Sequence, residues 1–264
     1  MTKNLADRVV LLVGVGVSGA TMSNGRATAL AYAARGARLV LADKDPAALD
    51  DCRRAVVEAG HEPATMPLDA TREAEVEAAV AKILASEGRI DVLHNNIGIA
   101  CPGRITRLTE AEIDRGFDVN LKSIMWLCKH VLPAMEKQGS GIVTNVSSIS
   151  SIRHIGINAP LYDVTKAGLN ALTRHIAVAY GPKGIRANAI VVGMMDTPLA
   201  RGGIAQAGRQ IDEIYDGYVQ RVPLRRMGTG HDTGSLSAFL ASDEASYING
   251  AEIVLDGGLT VRSG

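Results

Sequence analysis

The chain is 264 residues long, 47% apolar and 21% charged, a globular rather than a disordered composition. Lys and Arg number 28, Asp and Glu number 28, and the aromatics are six Tyr, two Phe and one Trp. A neutral chain this poor in rings has neither the basic field nor the stacking platforms of a nucleic-acid binder, and no polybasic face for a membrane surface.

Short apolar runs alternate with helical patterns almost to the end. Strands are predicted at Val9–Val13, Arg38–Ala42, Pro63–Leu68, Asp91–His94, Gly141–Val146, Ile185–Val192 and Glu252–Leu255. Helices are predicted at Gly25–Arg35, Pro46–Ala59, Glu73–Ser86, Asp118–Met135, Tyr162–Tyr180 and Asp232–Ala241. Apolar strands separated by helices indicate a parallel sheet covered on both faces. With no repeat and no linker, residues 1–264 read as one domain. Ile155–Leu161 and Gly193–Val222 read as irregular, and the second is long enough to be a substrate-binding loop, about residues 193–222.

Cys52, Cys101 and Cys128 form no Cys-x-x-Cys pair, which fits a reducing cytoplasm, and Cys101 reads as a small apolar filler. The six histidines show no metal-ligand spacing, so no metal is expected. No apolar signal core precedes Val9, and no apolar run is long enough to span a bilayer. A cytoplasmic protein is expected.

The first strand runs into Gly14-Val15-Gly16-Val17-Ser18-Gly19, with Asn24-Gly25 further on. Glycines between a strand and a helix let the backbone approach a pyrophosphate, and the helix N-terminus supplies free N–H groups. Asp43 closes the second strand about 18 residues after Gly25. A carboxylate there can accept the adenosine ribose hydroxyls and repel a 2′-phosphate, so NAD is expected over NADP. The neighbouring Lys44 weakens that contrast.

Tyr162 and Lys166 stand at i and i+4 on one helix face. A nearby cation favours phenolate over phenol, which is how a Tyr becomes a usable acid/base. Ser147 and Ser148 end a buried strand 14 residues upstream of Tyr162, counted from Ser148. Asn95-Asn96-Ile97-Gly98 ends an earlier strand, and Asn120 lies in a helix. Ligands of such sheets sit at the carboxyl ends of the strands.

Together the glycine turn, Asp43, Asp69, Asn95-Asn96-Ile97-Gly98, Asn120, Ser148, Tyr162/Lys166, Asp196-Thr197-Pro198, Asn249-Gly250 and Asp256-Gly257-Gly258 resemble the short-chain dehydrogenase/reductase family over essentially the full length. The resemblance implies an α/β Rossmann fold with a seven-stranded doubly wound parallel sheet. It implies hydride transfer between a nicotinamide and a carbonyl or alcohol carbon. By resemblance, Tyr162 is the acid/base, Ser148 hydrogen-bonds the substrate oxygen, Lys166 binds the nicotinamide ribose and lowers the Tyr162 pKa, and Asn120 holds a proton-relay water. Asp69 would contact adenine and Thr197 the carboxamide. Asn96, Gly98, Lys44, Leu68, Ala70, Gly193 and Met195 would line the cofactor with Gly14, Gly16, Ser18, Gly19, Asn24 and Gly25. A homotetramer is implied, paired through the two long helices.

Four departures from the family pattern stand out. Val13-Gly14 replaces Thr-Gly, Gly14 to Gly25 is 11 positions where six is common, and Val192-Gly193 replaces Pro-Gly. The Ser148–Tyr162 separation is also one residue longer than usual. The expected substrate lining is Ser150, His154, Met194, Met195, Leu199, Tyr215 and Tyr218, which suits a neutral, medium-sized secondary alcohol, a cyclic one included, while Arg153, Arg201 and Arg209 leave an anionic one open. Two alternatives stand beside the NAD-dependent alcohol dehydrogenase: an NADPH-dependent 3-oxoacyl-type reductase, and a non-catalytic dinucleotide-binding regulator. Fold alone does not separate them.

Overall fold

The computed structural model describes residues 4–16, 22–198, 200–202 and 211–262, with side chains at 211 and 213 excepted. β1 (Val9–Val13), β2 (Arg38–Asp43), β3 (Ala64–Pro67), β4 (Val92–Asn95), β5 (Gly141–Ser148) and β6 (Ile185–Val192) join β9 (Glu252–Leu255) in one sheet. Its order is β3-β2-β1-β4-β5-β6-β9, and every pairing is parallel. This is the seven-stranded Rossmann sheet the resemblance implies. Chain order reverses between β1 and β4, where Val13 pairs with Ala42 on one side and Asn95 on the other.

The unbroken apolar runs are explained by burial on both faces. Val9, Leu11 and Val13 pack with α3 (Glu73–Glu87), α5 (Ser123–Gln138) and α6 (Pro160–Tyr180). The alternate residues Val10 and Leu12 pack with α1 (Asn24–Ala34), α2 (Pro46–Glu58) and α8 (Gly230–Leu240). The side-chain period of two sends one strand's residues into two separate cores.

The structure corrects two expectations. The long helix predicted at Asp118–Met135 is two pieces, a π-helical turn at Asp118–Lys122 and α5, and it continues directly from α4 (Glu110–Phe117). The sequence pattern missed α4, although Thr109 and Glu112 form a capping box ahead of it. The stretch Gly193–Val222 is not irregular throughout. It holds β7 (Met195–Asp196), paired with β8 (Gly228–Thr229), and α7 (Ile211–Arg221). No helix among the described residues is long and apolar enough to cross a membrane.

Candidate active site

A cavity of ≈ 320 Å³ opens at the carboxyl edge of the sheet, over the β1/β4 reversal. Of the predicted residues it gathers Gly14, Gly16, Asn24, Asp43, Lys44, Leu68, Ala70, Asn96, Gly98, Tyr162, Lys166 and Thr197. Ser18, Gly19, Leu199 and Arg209 lie outside the described residues.

The glycine turn is fixed by its neighbours. Gly14 has φ +87° and Gly16 has φ +114°, left-handed backbone that side chains resist. A Cβ on Gly14 would stand 2.9 Å from the main-chain carbon of Asn96, and one on Gly16 would overlap the Ser23 side chain. Asn96 Nδ2 donates to the Gly14 carbonyl at 2.7 Å. Ser23 caps α1 by accepting from Arg26 N at 3.1 Å and donates to the Val15 carbonyl at 2.9 Å. Burial pushes the Asp43 carboxyl above its ordinary range, opposed by the Asp45 N–H it accepts at 3.0 Å and by the nearby Gly16 and Val15 N–H groups. Gly25 lies behind the turn, where a Cβ would overlap the Gly14 carbonyl. Bare left-handed backbone, a helix N-terminus and a carboxylate at the end of β2 fit the pyrophosphate and ribose of a dinucleotide.

The other end of the cleft is built by α6 and the end of β5. Tyr162, Lys166 and Asn170 follow one another at four-residue spacing on one face of α6. The Ser148 hydroxyl lies near the Tyr162 phenol. Lys166 is buried and its Nζ donates to the Val146 carbonyl at 2.8 Å and the Ile97 carbonyl at 3.4 Å. That ammonium lies against Gly98, where an added Cβ would be 3.3 Å away. Burial pushes the Tyr162 phenol up to about 12, opposed by the nearby Ser148 hydroxyl, and brings Lys166 down to about 8. In the chain by itself, desolvation is the dominant influence on the Tyr162 phenol.

Asn120 sits in the π-helical turn, a feature common at functional sites. Its carboxamide clamps the main chain of Ile99, accepting from N at 2.8 Å and donating to O at 3.1 Å, and also donates to Thr165 Oγ1 at 3.2 Å. Both amide hydrogens are thus committed to protein partners. Cys101 lies beside this clamp, half-buried, rather than in a core.

The remaining predicted residues sit around the cleft. The Asp69 carboxylate accepts from Thr71 N at 3.0 Å and from Thr71 Oγ1 at 2.7 Å, and Thr71 lines the cavity. Gly193 packs on Asp256. Met194 and Met195 border a separate cavity of ≈ 70 Å³. Ser150 and His154 lie near Asp163, whose carboxyl burial pushes up. Tyr215 and Tyr218 pair on α7 with ring centres 6.5 Å apart. Arg201 stacks 4.9 Å over Tyr215 and holds Asp196 through two hydrogen bonds of 2.7 and 2.9 Å. Its charge is therefore already matched. Ser147, read from the sequence beside Ser148, also lines the cavity, as do Ser23, Thr71 and Ser123, which were not assigned a role from the sequence. Only Ser23 carried a usable signal, as a helix-capping residue just before Asn24-Gly25.

A sequence profile described as "Enoyl-(Acyl carrier protein) reductase" matches residues 19–260. Levodione reductase from Leifsonia aquatica is 39% identical over 261 residues, 97% of this chain and 96% of that protein. The chain is a short-chain dehydrogenase/reductase. Cis-4-hydroxycyclohexanecarboxylate dehydrogenase from Sinomonas cyclohexanicum is 37% identical over 262 residues, 98% of this chain and 99% of that protein. A crystal structure of levodione reductase superposes with TM-score 0.92 at 37% identity, covering 98% of this chain and 100% of that one. A 7α-hydroxysteroid dehydrogenase complexed with NADH and 7-oxo glycochenodeoxycholic acid superposes with TM-score 0.87 at 27% identity, covering 97% and 96%. Short-chain dehydrogenases/reductases bind NAD(H) or NADP(H), and the relatives of this one act on CH–OH groups.

Proposed function

We propose that this short-chain dehydrogenase/reductase transfers hydride between NAD(H) and a secondary alcohol or ketone. The observation that carries the reading is the meeting of Tyr162, Ser148 and Lys166 at one end of a cleft whose other end fits a dinucleotide. The cofactor supplies the hydride acceptor or donor when bound; Gly14, Gly16, Asp43, Asn96 and Lys166 would hold it. Ser148 orients the substrate oxygen. Tyr162 exchanges the proton with that oxygen. Lys166 supplies a buried donor toward the nicotinamide ribose, beside Gly98. Asn120 shapes the Ile99 turn that walls the site. The second lone pair of Asn120 Oδ1 would be the acceptor for a relay water there.

Asp43 at the adenosine end supports NAD over NADP. The substrate side is apolar with a few hydroxyls, and Arg201 is neutralised by Asp196, which supports a neutral substrate. Two relatives carry a hydroxyl on a ring in their names, a hydroxycyclohexanecarboxylate and a hydroxysteroid. A cyclic secondary alcohol is the substrate class these support. One domain with residues about 193–222 over the substrate, a homotetramer and a cytoplasmic location complete the proposal. The three free cysteines support that compartment. The test is absorbance at 340 nm with purified protein, NAD or NADP, and a panel of linear and cyclic secondary alcohols and their ketones. Turnover with NAD on a ring alcohol is expected. A protein that binds NADH yet turns over no member of the panel would overturn the reading.

A further inference from the structure

Behind Ser148 lies a chain of hydrogen bonds that the reaction itself does not use. Ser148 ends β5, and the next three residues curl into a single 3₁₀ turn, Ile149–Ser151. Two bonds close that turn onto Ser148. Its hydroxyl accepts from Ser150 N at 3.2 Å, and its carbonyl accepts from Ser151 Oγ at 2.6 Å. The Ser151 hydroxyl, having given its proton to Ser148, accepts from Asn170 Nδ2 at 2.9 Å. The second hydrogen on the same nitrogen goes to Glu252 Oε2 at 2.7 Å. The other Glu252 oxygen pairs with Arg174, one turn further along α6.

Asn170 is 2% exposed, so these bonds are made out of water, where a misplaced donor is costly. Its orientation is decided by its partners. Turning the amide over would set its oxygen against the Glu252 carboxylate. The observed orientation leaves Oδ1 buried with no hydrogen-bond partner. A buried polar atom left unpaired costs about 1–3 kcal/mol, and here it is tolerated to keep both N–H groups on Ser151 and Glu252. Asn170 also stands two turns beyond Tyr162 and one beyond Lys166 on the same face of α6. Ser147 adds a second tie from β5 to that helix, donating to the Lys166 carbonyl at 3.4 Å.

We infer that Asn170 is a positioning residue for the reaction: anchored by Glu252 on β9, it holds Ser151 and through it sets the place of the Ser148 hydroxyl relative to Tyr162. The inference rests on the proposed role of Ser148. It makes β9 and α6 a rigid backing for the serine, so the catalytic hydroxyl is referenced to the helix that carries Tyr162.

The experiment is a double-mutant cycle read as kcat and KM for an alcohol the wild-type protein oxidises, with NADH binding followed by fluorescence. Asn170→Ala and Ser151→Ala should each lower kcat by about ten-fold, the order of one misplaced hydrogen bond, with NADH affinity unchanged. Glu252→Gln should do the same in smaller measure, since it weakens the anchor. In a Ser148→Ala background, Asn170→Ala should change kcat by less than about two-fold, because the group it positions is gone. Equal losses in both backgrounds would mean that Asn170 only supports the fold, and the inference would fall. If Asn170→Ala does not fold, Ser151→Ala and its combination with Ser148→Ala decide the matter alone, since that change deletes one oxygen from a half-buried turn. A Ser148→Ala protein of wild-type rate would overturn the proposed function, and the inference with it. A slow Ser148→Ala protein beside wild-type rates for Asn170→Ala and Ser151→Ala would overturn the inference alone.

Discussion

The Nζ of Lys166 stands 5.7 Å from the centre of the Tyr162 ring, one helical turn along the same face of α6. Proximity alone does not make this Tyr acidic. Burial lifts the phenol to about 12 and lowers the ammonium to about 8, so the lysine titrates first. Through neutral pH the phenol therefore stays protonated, the form that can donate to a carbonyl oxygen. Ketone reduction should hold steady below pH 8 and fall as pH rises through about 8, where Lys166 loses its charge. Alcohol oxidation needs the deprotonated phenol, so its rate should climb with pH instead. Initial rates in both directions from pH 6 to 10 check this. A reduction rate that rises across pH 8 would contradict it.

Tyr162→Phe should keep the fold and NADH binding while removing most turnover. The change deletes one oxygen, so the packing of α6 against β5 is conserved. The lost group is the one donor that both Ser148 and the substrate oxygen would face. Positioned acid/base groups contribute about 10²- to 10⁴-fold, and a kcat loss in that range is expected. Retention of more than about a tenth of the wild-type kcat would require another proton carrier.

Asp43 has two tasks in this geometry, and they separate by substitution. Its carboxyl lies close to the Val15 and Gly16 N–H groups of the glycine turn, and it lines the cleft where an adenosine ribose would lie. Asp43→Asn removes the charge but keeps an acceptor for the turn. It should weaken NAD binding modestly and erase much of the discrimination against NADP, seen as the ratio of kcat/KM for the two. Asp43→Ala should also lower stability, because buried N–H groups lose their partner. A wild-type preference for NADP would sink the ribose assignment.

The fold was legible because its rules are local. Val9–Val13, Ile185–Val192 and Glu252–Leu255 have strand boundaries identical to those read from apolar runs and their flanks. Burial on both faces leaves little alternative to a parallel sheet for such runs. The π-helical turn at Asp118–Lys122 was not legible, because nothing in its residues departs from a helical pattern; the Asn120 clamp on Ile99 is a contact across 21 positions. The glycine turn was half legible. The left-handed backbone at Gly14 and Gly16 follows from residue type, whereas the burial of Gly25 behind them depends on where α1 crosses. The burial of the Tyr162 phenol was not legible, since i, i+4 spacing says nothing of desolvation.

The outer face of α6 should be a subunit contact. Val164 is 56% exposed and Val178 is 80% exposed, and the small Ala167 and Ala171 lie exposed between them at helical spacing. Met125 on α5 adds a further exposed apolar side chain. Such a stripe suits a close, self-complementary helix pairing about a twofold axis. Light scattering should give a tetramer mass for the wild-type chain. Ala171→Glu, which sets a charge into the pairing face, should shift the mass toward dimer or monomer without unfolding the protein. A monomer mass for the wild-type chain at micromolar concentration would refute the pairing.

Acid should unfold this protein partly through His94. That ring lies buried in β4, with Nδ1 3.0 Å from the Tyr32 hydroxyl and Nε2 without a partner. Burial holds it neutral and lowers its pKa to about 3, against 6.5 for an ordinary histidine. The unfolded chain therefore takes up a proton as pH falls below about 6.5, while the folded chain does not until about 3. The stability contributed by neutral His94 is fully present above pH 6.5 and is lost progressively on the way down to about 3. Between pH 7 and 4.5 the loss should be about 2–3 kcal/mol, at 1.36 kcal/mol per unit. His94→Phe keeps a ring in the core and removes the proton site. Its stability at pH 7 should be lower, because Tyr32 loses a partner, but its further loss between pH 7 and 4.5 should be smaller than that of the wild type. Urea unfolding at the two pH values measures both differences, and the carboxylates that also titrate there are common to the two proteins. Equal losses for the two would show that the His94 ring does not drive the acid transition.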